Sequence, residues 1–400
     1  MCHPARTPGQ AERSRLTTRV KHRALAVALI LVSGIFISYP PHVTGAGRCR
    51  EDVSSGNRLA DETIRRISSL PDREVSLSGA LFLISARAAL DLECRQAEGA
   101  LVEKELDRIA KRVSASMGNA VAADPGSTVA AMVRVVYDEE KFAYDPAPGD
   151  PANYLLDRVL ANKRGNCLGL TVVFLSLAER LGLPLSGVYA PSHCFARYEG
   201  NGVRVNIETG ATGGERADDW YVRKFRIGEG RPYLRTLGRK EMIGVFLKSV
   251  GAAYSRQGRD EEALRLYREA GAFYPGLPDV YYNAGVSLQK LGRHEEAIGQ
   301  YKIAITVDPG MAAARGNLAA SLCGCGRIED GIREFRKALE ISPENATARA
   351  GLAKAYFSRG AYREAIEHCD RAIEQGCRFE PSMLEVLNRY RRPGDNSPGP

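Results

Sequence analysis

The stretch Arg164-Gly-Asn-Cys167-Leu-Gly-Leu-Thr-Val-Val-Phe-Leu-Ser-Leu-Ala-Glu-Arg-Leu-Gly182 decides how the middle of this chain is read. Its apolar residues recur at helical spacing, the pattern of a buried amphipathic helix. The Gly-Asn pair before the cysteine reads as a turn, with Asn166 capping the helix. Cys167 then stands in the first turn. A helix N-terminus carries partial positive charge and unpaired N–H groups, which favour a thiolate over a thiol. The same N–H groups hold the oxyanion that forms when a thiolate attacks a carbonyl.

Beyond Gly182 the periodicity changes. Leu185–Ala190, His193–Tyr198 and Val203–Glu208 read as short strands, the last two joined by Glu199-Gly-Asn-Gly202. Gly/Asn turns of this kind close hairpins. Closure sets His193 and Glu208 on adjacent antiparallel strands near one end, where an acid orients an imidazole that faces Cys167. Asn206, on the same face, is an alternative orienting group, and Asp218 and Asp219 are more remote substitutes. Cys194 faces the other side of its strand and reads as core. Trp220, the only tryptophan, reads as packing, with a substrate platform as the alternative.

Upstream, 59–70, 80–94, 100–113 and 129–137 show helical spacing of apolar residues. The run Asp145-Pro-Ala-Pro-Gly-Asp-Pro151 is a loop, and Asn153–Ala161 reads as the helix that delivers the chain to Cys167.

The order Cys, His, acid, with the nucleophile on a central helix and its partners on the following sheet, resembles that of papain-like folds. The residues around Arg164-Gly-Asn-Cys167, the Ala178-Glu-Arg-Leu-Gly-Leu-Pro-Leu185 continuation, Pro191-Ser-His193 and Ile207-Glu-Thr-Gly-Ala-Thr-Gly-Gly214 resemble the transglutaminase-like superfamily, in its SirB-type branch. The resemblance covers roughly residues 60–245 and is strongest over 153–212. It implies an α+β papain-like domain with a helical N-terminal part over 55–240. It further implies Cys167 as nucleophile, His193 as general base and later acid, and Glu208 as the orienting carboxylate. Glu208 departs from the pattern, since such sites more often carry aspartate. That branch often ends in tetratricopeptide repeats.

Residues 244–377 repeat with a period of 34. Gly251, Gly285, Ala319 and Ala353 share one position, and Gly258, Gly292, Gly326 and Gly360 another. Ala263, Ala297, Gly331 and Ala365 are followed by Tyr267, Tyr301, Phe335 and Cys369, then by Ala270, Ala304, Ala338 and Ala372. Pro275, Pro309 and Pro343 close three units, and Cys377 stands where the fourth would have its proline. Two short helices per unit, with small residues at the crossing and proline at the stop, resemble the tetratricopeptide repeat. Four such units form an all-α solenoid, making the chain mostly α overall. Residues 378–392 read as its capping helix and 393–400 as a disordered tail. The concave face of such an array is expected to take a protein or peptide partner, with bracing or dimerisation of the neighbouring domain as the alternative.

The net charge of +8 is a poor sign of nucleic acid, because residues 1–23 hold six bases against one acid, +5 of the total. An uncharged run, Ala24–Tyr39, follows. Residues 1–46 thus have the form of a signal peptide or a signal anchor, with Thr44-Gly-Ala46 a cleavage site. Sixteen residues at about 1.5 Å each span roughly 24 Å, short of a hydrocarbon core of about 30 Å. Export, cleaved or anchored, and extracytoplasmic location are the expectation; membrane contact is confined to 24–39 if uncleaved. The nine cysteines contain no CxxC pair and no zinc spacing, and Cys49 with Cys94 is one conceivable bridge.

The expected function is cysteine-dependent acyl transfer on protein or peptide amides, by hydrolysis or transamidation, with the repeats recruiting a partner. That chemistry uses neither metal nor cofactor. The alternative is a non-enzymatic scaffold built from an inactive core of this type and the repeats.

Overall fold

The computed structural model describes residues 60–93, 97–118, 125–147 and 150–391. The leader and anchor readings on 1–46, the Cys49–Cys94 bridge and the tail over 393–400 lie outside these residues. Two compact units divide them. One runs to Tyr221 and takes back Leu234–Ile243; the other comprises Val222–Tyr233 and the chain from Gly244.

The first unit opens with helices α1 (60–69), α2 (Leu77–Glu93), α3 (Gly99–Met117) and α4 (Pro125–Val133). The helix expected over 129–137 is two pieces, because the α-helix gives way at Arg134 to a π-helical turn, Arg134–Glu139. At its end, the buried Glu140 carboxylate accepts from Arg108, Arg112 (2.7 Å) and Lys163 (3.3 Å). This charged knot ties the turn to the chain just ahead of Cys167. Strand β1 (Ala143–Tyr144) then pairs in parallel with β2 (Arg164–Gly165). The intervening helix α5 is Leu156–Asn162, not 153–161. Pro151–Asn153 forms a separate 3-10 turn, capped by the Asp150 carboxylate, and Leu155 is extended, so the helix starts three residues late.

Helix α6 (Cys167–Leu181) is the centre of this unit. Asn166 accepts from the Gly169 N–H at 2.9 Å as its N-cap, and Gly182 ends it in the left-handed region. Leu168, Leu170, Val172, Val173, Phe174, Leu175, Leu177 and Ala178 are all buried. A helix apolar on nearly every side must be enclosed on every side, and α6 packs against α2, α3, α5 and the sheet that follows.

That sheet is an antiparallel meander, β3 (Leu185–Ala190), β4 (His193–Gly200) and β5 (Val203–Ile207). Asn201 and Gly202 both have positive φ, 53° and 75°, the two-residue turn expected from the Gly/Asn run. The β3–β4 turn is Pro191-Ser192, with Ser192 at φ 58°, so β4 begins at His193 itself.

In the second unit, helices pair with the 34-residue period: α9 (Asp260–Phe273), α10 (Pro278–Lys290), α11 (His294–Val307), α12 (Ala312–Gly324), α13 (Ile328–Ile341), α14 (Ala346–Ser358) and α15 (Tyr362–Glu374). The partner preceding α9 is α8 (Arg239–Arg256), which follows α7 (Asp218–Phe225). The recurrent alanines at 263, 297 and 365 and at 270, 304, 338 and 372 are fully buried, as are Tyr301 and Cys369; Tyr267 and Phe335 are nearly so. Each Gly-turn glycine has φ between 74° and 79°. Helix α16 (Pro381–Tyr390) buries Met383 and Leu387 against the last pair.

Candidate active site

Cys167 is the first residue of α6, half-buried, with a free thiol. Its carbonyl accepts from Thr171 Oγ1 at 2.7 Å and Thr209 Oγ1 at 3.1 Å, and Tyr137 Oη donates to the Thr209 carbonyl at 3.0 Å. Asn153 fixes the other side by accepting the Asn166 N–H at 2.7 Å. The helix start is thus pinned from two directions.

His193 Nε2 lies 2.9 Å and 3.1 Å from the two carboxylate oxygens of Glu208, which also accepts the Gly210 N–H at 2.8 Å. The Cys167 thiol and the imidazole each move the other's titration, and Cys167 Cβ and His193 Cε1 both border the space beside Gly210. The structure therefore brings Cys167, His193 and Glu208 into one chain of contacts.

Burial opposes charge on all three groups, and their mutual contacts outweigh it. Burial alone pushes the Cys167 thiol up; the His193 hydrogen bond and charge and the Cys194 N–H bring it below its ordinary value. Burial depresses the imidazole, yet Cys167 and Glu208 raise it to about 9. Glu208 is lowered in spite of burial by His193, Gly210 and Tyr221. Opposite shifts on a thiol and an imidazole are the signature of a thiolate–imidazolium pair.

Asn206 does not take part. It shares the face of β5 but stands opposite Arg197, four residues along β4 from His193, about 13 Å of strand. Arg197, 1% exposed, donates to Asn206 Oδ1 and Asp218 Oδ1, both at 2.6 Å, and Asn206 donates in turn to Asp218 and the Arg216 carbonyl. Asp218 neutralises the buried guanidinium and Asn206 accepts its Nε–H, so both are engaged by Arg197 and not by the ring. Asp219 lies beside Asp218 in the first turn of α7. Cys194 is buried, and Trp220 meets Tyr221 edge-on with Arg216 above its ring.

Two residues escaped the sequence reading. Tyr221 is fully buried, stacks on Phe195 at 3.9 Å and beside the imidazole at 6.1 Å, and has its phenol raised by burial and by the nearby Glu208 charge. Tyr144, on β1 and 40% exposed, has its phenol raised by burial and by the charges of Cys167, Glu208 and Asp145. The signal for Tyr144 was the strand pairing just ahead of Cys167, too short to be read from periodicity. Among the described residues, no cluster of three His, Cys, Asp or Glu fits a metal ion.

Residues 100–224 match the family model of the transglutaminase-like superfamily, and 249–274, 278–310 and 326–376 match tetratricopeptide repeats. The chain carries a transglutaminase-like domain. Tetratricopeptide repeats follow it. A UPF0162 protein of Vibrio cholerae is 28% identical over 156 residues, 37% of this chain and 57% of that protein. One of Xylella fastidiosa is 42% identical over 48 residues, 12% and 17% of the two chains. The chain thus spans less than two thirds of the length of these curated relatives. Among solved structures, MamA from Desulfovibrio magneticus RS-1 is similar with a TM-score of 0.32 and 21% identity, over 33% of this chain and 75% of that one.

Proposed function

We propose that the transglutaminase-like domain performs cysteine-dependent acyl transfer on an amide of a protein or peptide, which the repeats recruit. The observation that carries this reading is the Glu208–His193–Cys167 chain of contacts at the start of α6. The thiolate attacks the amide carbonyl, and the helix N-terminal N–H groups hold the oxyanion. A carbon–sulfur bond forms, the carbon–nitrogen bond breaks, and the imidazolium gives its proton to the leaving amine. The neutral imidazole then takes a proton from water or from an amine as that nucleophile releases the acyl group. Glu208 keeps the ring in the orientation both steps need. Tyr144 contacts the incoming chain. We assign this chemistry to an extracytoplasmic compartment, on the strength of the basic and apolar leader.

A second reading, a non-catalytic scaffold, rests on the tetratricopeptide repeats that follow the domain. One experiment separates them. The chain is incubated with a p-nitrophenyl ester of a peptide acid and the Cys167 peptide is examined by mass spectrometry. Acyl transfer predicts a thioester on Cys167 that is absent in His193→Ala and discharged by hydroxylamine. A Cys167 peptide that never carries acyl, while the ester stays intact, supports the scaffold.

A further inference from the structure

Past β5 the chain turns at Gly210 directly against the site. A Cβ placed on this residue would lie 2.9 Å from Glu208 Oε1, 3.2 Å from His193 Cε1 and 3.4 Å from Cys167 Cβ. It is thus the point where all three side chains converge. Contacts between a carbon and a heavy atom are comfortable at about 3.5–4.0 Å, so the first of these cannot stand without a shift. The Gly210 φ lies outside the left-handed region that restricts other residues. Glycine is required here for space, not for backbone conformation. Its N–H meanwhile donates to the same Oε1 at 2.8 Å.

We propose that Gly210 is the positioning residue that makes room for a glutamate, in place of a shorter carboxylate, as the partner of His193. The inference rests on the reading of Cys167 as an activated nucleophile. His193 is held by β4 and Cys167 by α6, so neither yields easily to an added methyl group. The carboxylate end of Glu208 has rotamer freedom and gives way, leaving Nε2. An aspartate draws its carboxylate back by one carbon–carbon bond, about 1.5 Å, and vacates the space that the methyl would take. Gly210 and the length of residue 208 are therefore coupled, and their substitutions are not additive.

The test is the rate of Cys167 alkylation by iodoacetamide in the full chain between pH 5 and 9, read on the Cys167 peptide by mass spectrometry. Wild type is compared with Gly210→Ala, Glu208→Asp, the double variant, and Glu208→Gln as the level without a carboxylate. Gly210→Ala is expected to raise the pH midpoint by about one unit, about tenfold in rate below it, reaching the Glu208→Gln level. Adding Glu208→Asp is expected to recover most of that loss. Thermal melting reports folding of each variant. If Gly210→Ala alone does not fold, the double variant decides, since it is expected to fold and to react within about twofold of Glu208→Asp, an effect under 0.3 of a pH unit. An unchanged midpoint in Gly210→Ala, or losses that simply multiply in the double variant, overturns the inference. A wild-type thiol with an ordinary midpoint would instead sink the nucleophile reading, and this inference with it.

Discussion

Burial disfavours charge on both Cys167 and His193, and their mutual contact favours opposite charges on the two. Once formed, the pair carries one proton. His193, raised to about 9, contributes stability that is full below about pH 6.5 and is lost as the pH rises through 9, whereas the lowered Cys167 contributes fully above its ordinary value and loses that contribution as the pH falls. Glu208 behaves differently. Its folded pKa lies below the ordinary 4.5, so its stabilisation is full above about pH 4.5 and is lost as the pH falls through the lowered value. Glu208→Gln should therefore remove part of the acid decline. Below pH 4.5 its melting temperature should fall less steeply than that of wild type. Parallel curves throughout would mean that the carboxylate is not held ionised by His193. The residue types of the site were legible in the sequence from their order. The choice of Glu208 over Asn206 was not, because it depends on Arg197, a buried cation whose need for neutralisation no periodicity announces.

At the level of elements, the site depends on how α6 begins. Asn166 satisfies one N–H and its own N–H is held by Asn153, so the first turn, with Cys167 in it, is fixed. Asn166→Ala is expected to cost about 1 kcal/mol in urea denaturation, with Asn166→Ser retaining most of it. A loss below about 0.3 kcal/mol for alanine would show that the cap is redundant with the Thr171 and Thr209 bonds. The hairpin of β4 and β5 and its turn were readable from Asn201-Gly202. The π-helical turn at Arg134 was not, since the Glu140 knot at its end is a set of tertiary contacts, and the late start of α5 was not, since a short 3-10 turn capped by Asp150 leaves no periodicity to read.

At the level of the whole molecule, two compact units share one chain, and Val222–Tyr233 belongs with the repeats although it follows the domain. The reason is a buried ion pair. Asp308, with no exposed surface, is bonded by Arg231 Nε at 3.0 Å and by Tyr233 Oη at 3.1 Å. Removing one partner leaves a carboxylate buried and under-paired, so Arg231→Ala should destabilise the repeats by about 3–5 kcal/mol, measured by denaturant unfolding. A change below 1 kcal/mol would mean that Tyr233 and the Gly310 N–H suffice for Asp308. The repeats were legible almost position by position, because small, aromatic and proline residues recur at a fixed interval. This strap was not, because Arg231 and Asp308 are 77 residues apart. Among the described residues no helix is long and apolar enough to cross a membrane.

The central claim is that Cys167 is an activated thiolate, and its most direct test is the pH dependence of iodoacetamide alkylation at Cys167 in the full chain, compared with His193→Ala. The account predicts rapid modification of wild type well below pH 8 and, in His193→Ala, the slow rise of an ordinary thiol titrating near 8.5. A Cys167 that is inert in the folded protein, or that titrates identically with and without the imidazole, would contradict it.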